Sequence, residues 1–163
     1  MESIEQTFSD NKGNHLLVAL YFYDNDYKQT SLHIPDEYAD VEIVDIDIEK
    51  TFRDKPIHPV VFFRMSSWLL QQFNDYENAV FSFICSTEDL ATNHPDQSPQ
   101  SYRWNLFDRL YRRMAQKAEI NTQDVIVGPD GYQSFGRAFY RDRHASIIHI
   151  VAAYLQEKQN QYQ

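Results

Sequence analysis

The chain has 163 residues, 42% of them hydrophobic, with eleven Phe and eleven Tyr. It is long and apolar enough for one domain with a sizeable core, which excludes a disordered segment. Four glycines argue against a Gly-rich phosphate-binding fold. One cysteine, Cys85, excludes an internal disulfide framework and a cysteine-based zinc site. The net charge of −9 is unevenly placed: residues 1–100 carry 6 Lys/Arg against 18 Asp/Glu, and residues 101–163 carry 9 against 6. That asymmetry permits a local anion-binding face on an acidic protein, but not generic DNA binding.

The opening MESIEQTFSD has neither a basic nor an apolar region of the signal-peptide kind. No apolar run approaches the ~20 residues of a spanning helix. A cytoplasmic protein with no membrane partner is the expectation. Ile4 to Phe8 and Leu16 to Tyr23 flank Asp10-Asn11-Lys12-Gly13-Asn14 and read as a hairpin. One face of its second arm carries Leu16, Val18, Leu20 and Phe22. Asp24-Asn25-Asp26 reads as a loop, and Ser31 to Ile34 as a short strand before Pro35.

Val41 to Glu49 is the cleanest strand. Val44, Ile46 and Ile48 face one way, and Asp45, Asp47 and Glu49 the other. Val41 and Ile43 fall out of step, which predicts a bulge or bend near Ile43. After a loop with two prolines, Pro59 to Phe73 reads as a helix with Val61, Met65, Trp68, Leu69 and Phe73 inward. Ala79 to Ser86 reads as a central strand. Thr87 to Gln100 is the longest loop. Ser101 to Ala118 reads as a second helix with a basic face of Arg109, Arg112, Arg113 and Lys117.

Asp124 to Leu155 reads as strand, turn, strand, helix. Gly128-Pro129-Asp130-Gly131 supplies the turn, with a positive φ expected at Asp130 or Gly131. The third helix is expected over Ala145 to Glu157, with Ile147, Ile148, Val151, Tyr154 and Leu155 inward and His149 at the core edge. The order ββ(β)β-α-β-α-ββ-α makes the class α+β, with a mixed, mostly antiparallel sheet and three helices. It forms a single domain over residues 1–158, and the Gln-rich end, 159–163, is expected to fray.

The densest mix of chemistry is the corner Arg137, Tyr140, Arg141, Arg143, His144. Two arginines and a histidine can bind a phosphate and protonate a leaving group without metal. With Arg112 from the second helix, Arg137, Arg141 and Arg143 are the candidate anion-binding residues, and His144 is a candidate catalytic acid. The same residues also read as ordinary structure, with Asp142 capping the third helix and Arg137 and Arg141 on the solvent side of a strand. Asp45, Asp47 and Glu49 share a face but lack a neighbouring His or Asn, so they read as a solvated face and no metal site is assigned. Cys85 reads as a buried small hydrophobe. No cofactor motif occurs.

FDRLY at Phe107–Tyr111 and AFYRD at Ala138–Asp142, after a strand ending Phe83-Ile84-Cys85-Ser86, are similar to a domain-of-unknown-function family of small bacterial proteins. That resemblance implies a fold and no activity. Residues 41–141, in the order strand, helix, strand, helix, strand, strand, resemble the C-terminal half of GNAT acyltransferases. Asn105 and Leu110-Tyr111 resemble positions in that family's penultimate helix, which implies Tyr111 as general acid. The loop Lys50-Thr51-Phe52-Arg53-Asp54-Lys55-Pro56 departs from the family in holding no glycine where the acyl-CoA pyrophosphate is bound. The leading expectation is a non-enzymatic binding or interaction domain taking a protein partner or a small anionic ligand. The alternatives are a degenerate GNAT-like acyltransferase or acyl-CoA-binding protein, and RNA binding or metal-independent RNA cleavage at the Arg141–His144 corner.

Overall fold

A computed structural model describes residues 2–50, 58–84, 108, 109, 111, 112, 119–128 and 134–161. Six strands form one mixed sheet: β1 (Glu2–Ser9), β2 (His15–Phe22), β3 (Glu42–Lys50), β4 (Ala79–Ile84), β5 (Asn121–Val127) and β6 (Ser134–Tyr140). Their spatial order is β1-β2-β3-β4-β6-β5. All neighbours are antiparallel except β3 and β4, which run parallel. The α+β class with a mostly antiparallel mixed sheet is therefore what the chain adopts. Three described helices accompany the sheet: α1 (Asn25–Thr30), α2 (Pro59–Asp75) and α3 (Ile148–Gln161). Residues 108, 109, 111 and 112 also have helical backbone, inside the expected second helix. No described helix is long and apolar enough to cross a membrane.

The opening hairpin forms with the expected face. Asp10 organises its turn by accepting hydrogen bonds from the Lys12 and Asn14 amides and the Asn14 side chain. These bonds, the Asn14 side chain foremost, hold its carboxyl well below the usual range. The segment 24–34 departs from expectation. Asp24 caps α1, its carboxylate accepting from the Tyr27 amide at 2.8 Å. No strand forms at Ser31 to Ile34. His33 turns the chain with φ of 58°. The buried Lys28 then pins the stretch before β3 by donating to Ala39 O at 2.8 Å and Val41 O at 2.9 Å. A six-residue helix is too short to show a stripe, and Asp-Asn-Asp reads as a loop until its capping role is seen.

The bulge near Ile43 is absent, since pairing runs unbroken from Phe22↔Val44 to Leu16↔Lys50 on one side of β3 and from Glu42↔Ala79 to Ile46↔Phe83 on the other. Val41 and Ile43 are out of step because the sheet has a core on each face. Under α2 lie Leu16, Val18, Leu20, Val44, Ile46, Phe81 and Phe83. On the other face Ile43, Val80 and Ala138 pack with Val151 and Leu155 of α3.

α2 starts where Pro59 predicts, with His58 Nδ1 accepting from the Val60 amide. The last helix departs twice. A 3-10 turn, Asp142–Ile147, precedes it, and that turn's cap is Arg141, so Asp142 caps nothing and instead accepts from Asn121. At the other end, fraying from residue 159 gives way to a helix that runs to Gln161. His149 is exposed rather than at the core edge. Gln159 is fully buried, its amide donating to Val125 O at 3.1 Å.

Gly128 takes a φ of 108° where β5 turns toward β6; Pro129 to Gln133, with Gly131, lie outside the described residues. Gly136 is needed for another reason. A Cβ there would stand 2.7 Å from Gln159 Nε2. Gly136→Ala should therefore dislodge the Gln159 amide and cost about 1–2 kcal/mol, the range for a buried polar group losing its partner. Combined with Gln159→Ala the cost should be well below the sum of the two, because both changes disturb one contact. Urea midpoints of the two single variants and the double variant check this, and strict additivity would refute the contact.

Candidate functional site

On the α2 face the described residues enclose a pocket of about 80 Å³. Strands β3 and β4 give its floor, through Ile46 and Ile48 and through Phe81 and Phe83. Helix α2 gives one wall with Ser66, Leu69, Leu70 and Phe73, and Tyr111, Ile120 and Phe139 give the other. Alternation explains the strand side chains, because residues two apart on β3, β4 and β6 point to one face. Helical spacing explains Ser66, Leu69, Leu70 and Phe73, which follow at three, four and seven. Several of these residues remain partly exposed, so the pocket opens to solvent. Among the described residues its lining carries no charge, and the side-chain hydroxyls there are those of Ser66 and Tyr111.

The candidate arginines fall in different places. Arg137 lies between Phe135 and Phe139 on β6, on the α2 face and opposite Phe83, and is buried rather than solvated. Its guanidinium donates to Asp124 at 2.6 and 3.1 Å and to Asp108 at 2.9 Å, and stands 5.4 Å from the centre of the Tyr111 ring. Burial alone would weaken its charge, but the two carboxylates hold it firmly protonated. Asp108 is the mirror case: burial pushes its carboxyl up, and hydrogen bonds from Arg112 and Arg137 bring it below the usual range. Arg112 pairs with Asp108 at 2.8 Å and is otherwise in solvent. Tyr111 donates its phenol proton to Ile120 O at 2.9 Å, and burial raises its pKa.

Arg141 is turned inward. Its guanidinium donates to Phe73 O and, at 3.1 Å, to Tyr76 O, and its Cζ lies 4.0 Å from the centre of the Phe73 ring. It thus satisfies carbonyls at the C-terminus of α2, where a cation is favoured. His144 is buried, and its Nε2 donates to Asn78 Oδ1 at 2.8 Å. Asn78 in turn donates to Asp40 O, which fixes the direction of the first bond. Burial, with the charges of Arg143 and Arg141, lowers the His144 pKa. Arg143 is exposed. The structure thus separates Arg112 and Arg137 from Arg141 and His144, and does not assemble them into one cleft.

A second cluster, on the α3 face, was missed by sequence reasoning. Asp45 accepts from Tyr23, from Ser82 at 2.9 Å and from Lys158 at 3.0 Å, and the Tyr23 and Tyr154 hydroxyls are 2.6 Å apart. Burial, reinforced by the Asp45 charge, pushes the Tyr23 phenol far up. So Asp45 belongs to an interior network, while Asp47 and Glu49 are the solvated face expected of them. The spacing of Tyr154 and Lys158, four apart on one helix, was the available signal. No group of residues suited to a metal ion occurs among the described residues. Cys85, Asn105, Arg113 and Lys117 lie outside them, as does the glycine-free loop 51–57.

Arg137→Ala should cost about 2–3 kcal/mol, below the usual range for breaking a buried pair because Asp124 is 40% exposed. Arg112→Ala should leave the urea midpoint unchanged, and equal losses in the two variants would refute the ranking. For His144 the folded pKa lies below the unfolded one. Its contribution is complete above about pH 6.5 and is lost as the pH falls through the lowered folded value. Between pH 7.5 and 5 the protein should therefore lose stability, and His144→Gln should lose less over that interval in paired denaturation curves. Comparison with known protein families, curated proteins and solved structures finds no match to this chain.

Proposed function

We propose that the chain is a non-enzymatic binding domain and that the pocket between α2 and the sheet is its site. The observation that carries this reading is an open pocket of phenylalanine, isoleucine and leucine with no charge among the described residues of its lining. Such pockets, concave and largely apolar with a few hydroxyls, are the usual form of small-molecule sites. The expectation of an anionic ligand finds less support. Arg137 and Arg112 are held by carboxylates and Arg141 by carbonyls, so an anion would have to displace partners already in place. A lone cysteine among 163 residues fits a reducing compartment, and we place the protein in the cytoplasm on that ground.

A degenerate acyltransferase-like protein is the second reading. It is favoured by Tyr111 standing at the pocket wall and by the order of the described elements between 41 and 141. Against it stands the Tyr111 hydroxyl, which spends its proton on a backbone carbonyl.

Thermal unfolding with added toluene, a neutral apolar probe, tests the leading reading. At ten times its dissociation constant a ligand stabilises by about 1.4 kcal/mol, so the midpoint should rise. Leu69→Trp, which fills the pocket, should abolish the rise. No shift with toluene, or a shift that survives Leu69→Trp, would overturn the assignment. A midpoint rise with acetyl-CoA and none with toluene would favour the second reading instead.

A further inference from the structure

Five of the eleven described lining residues of the pocket are rings. Phe139 packs at 5.8 Å and 20° against Phe83 and at 5.4 Å and 53° against Tyr111. Across the floor, Phe73 meets Phe81 edge-on at 5.5 Å and 89°. Ring edges and faces are thus both offered, the pairings an aromatic guest prefers over those of an aliphatic one. Size sets the scale. An apolar cavity of about 150 Å³ holds benzene, so a pocket of about 80 Å³ encloses about half of one ring and leaves the rest in its open mouth.

Charge and hydrogen bonding narrow the class. Arg137 stands beside this wall, but Asp108 and Asp124 neutralise it. A carboxylate guest would lose hydration without gaining a free cation. Ser66 is different. Its hydroxyl lines the pocket and has no hydrogen-bond partner among the described residues. A hydroxyl can donate one bond and accept two. The Tyr111 hydroxyl is engaged, its proton on Ile120 O and its oxygen in a hydrogen bond with the Thr122 side chain. Among the described residues the pocket is otherwise apolar and offers the Ser66 hydroxyl, which selects a guest with one polar atom.

Resting on the reading of this pocket as the binding site, we infer that its ligand is a small uncharged aromatic ring bearing one hydrogen-bonding group, with the ring against Phe139 and the polar atom on Ser66. Four probes of similar size separate the terms: phenol, toluene, cyclohexanol and benzoate, titrated calorimetrically into the wild-type chain and into Ser66→Ala. Phenol should bind about tenfold more tightly than cyclohexanol, with benzoate weaker still. Ser66→Ala should weaken phenol by about fivefold, the size of one net hydrogen bond, and leave toluene within about twofold. Urea midpoints of the two proteins should agree, so that a loss of fold is not read as a loss of affinity. Benzoate or cyclohexanol matching phenol would overturn the inference, as would phenol binding unchanged in Ser66→Ala. If toluene and cyclohexanol bind and phenol binds no better, the ligand class falls and the site stands. If none of the neutral probes binds, the site itself falls.

Discussion

The parallel pairing of β3 with β4 is the constraint on which the rest of the chain depends. Parallel neighbours cannot be joined by a tight turn, so the chain must leave the sheet and cross back, and α2 lies on that crossover. A parallel pair must also be covered on both faces. Here α2 covers one face, and α3, joined to the sheet by the 3-10 turn after β6, covers the other. Every residue of β4 from Ala79 to Phe83 is consequently buried. The return of β6 beside β4 meets the same demand, since it gives β4 its second partner.

Covering both faces brings charged groups inside, and Lys28, Arg141 and Asp45 are each partnered where they stand. Lys28 donates to two carbonyls, Arg141 to two more at the end of α2, and Asp45 collects a tyrosine, a serine and a lysine. A buried charge without partners would cost several kcal/mol, so these arrangements are conditions of the fold. They also explain a mismatch between chain and structure. Arginine and histidine clusters suggest a phosphate site when read along the chain, yet Arg141 and His144 spend their hydrogen bonds on Phe73, Tyr76 and Asn78, residues more than sixty positions away.

What could be read beforehand was whatever depends on local period. Alternation along β2 and β3, Pro59 at the start of α2, and the pairing of β5 with β6 each declare themselves locally, and together they suffice for the class and the order of strands along the chain. What could not be read depends on partners distant in sequence. Ile43 seemed misplaced only because a second core cannot be seen from one strand. Arg137 seemed solvated because alternation assigns a face without saying what covers it. Gln159 seemed part of a frayed tail because nothing in a glutamine run announces Gly136 below it. The pocket was invisible for the same reason: Ser66 is an unremarked polar residue in a helix until Phe83 and Phe139 are placed opposite it.

The character of the pocket turns on Arg137. Alternation along β6 forces residue 137 onto the same face as Phe135 and Phe139, so a guanidinium stands beside the wall of an apolar cavity, 5.4 Å from the centre of the Tyr111 ring. Left alone, it would make the site a cation-lined pocket and draw an anion. Two carboxylates prevent this, one from the neighbouring strand at the paired position, Asp124, and one from the helical segment above, Asp108. The three charges sum to −1, and Arg112, paired with Asp108, brings the group to neutral. The neutral surface offered to a guest is therefore a product of electrostatics as much as of phenylalanines. The same ion pairs tie the Tyr111 wall to the sheet, so the geometry that shapes the pocket and the charge balance that sets its chemistry rest on one arginine.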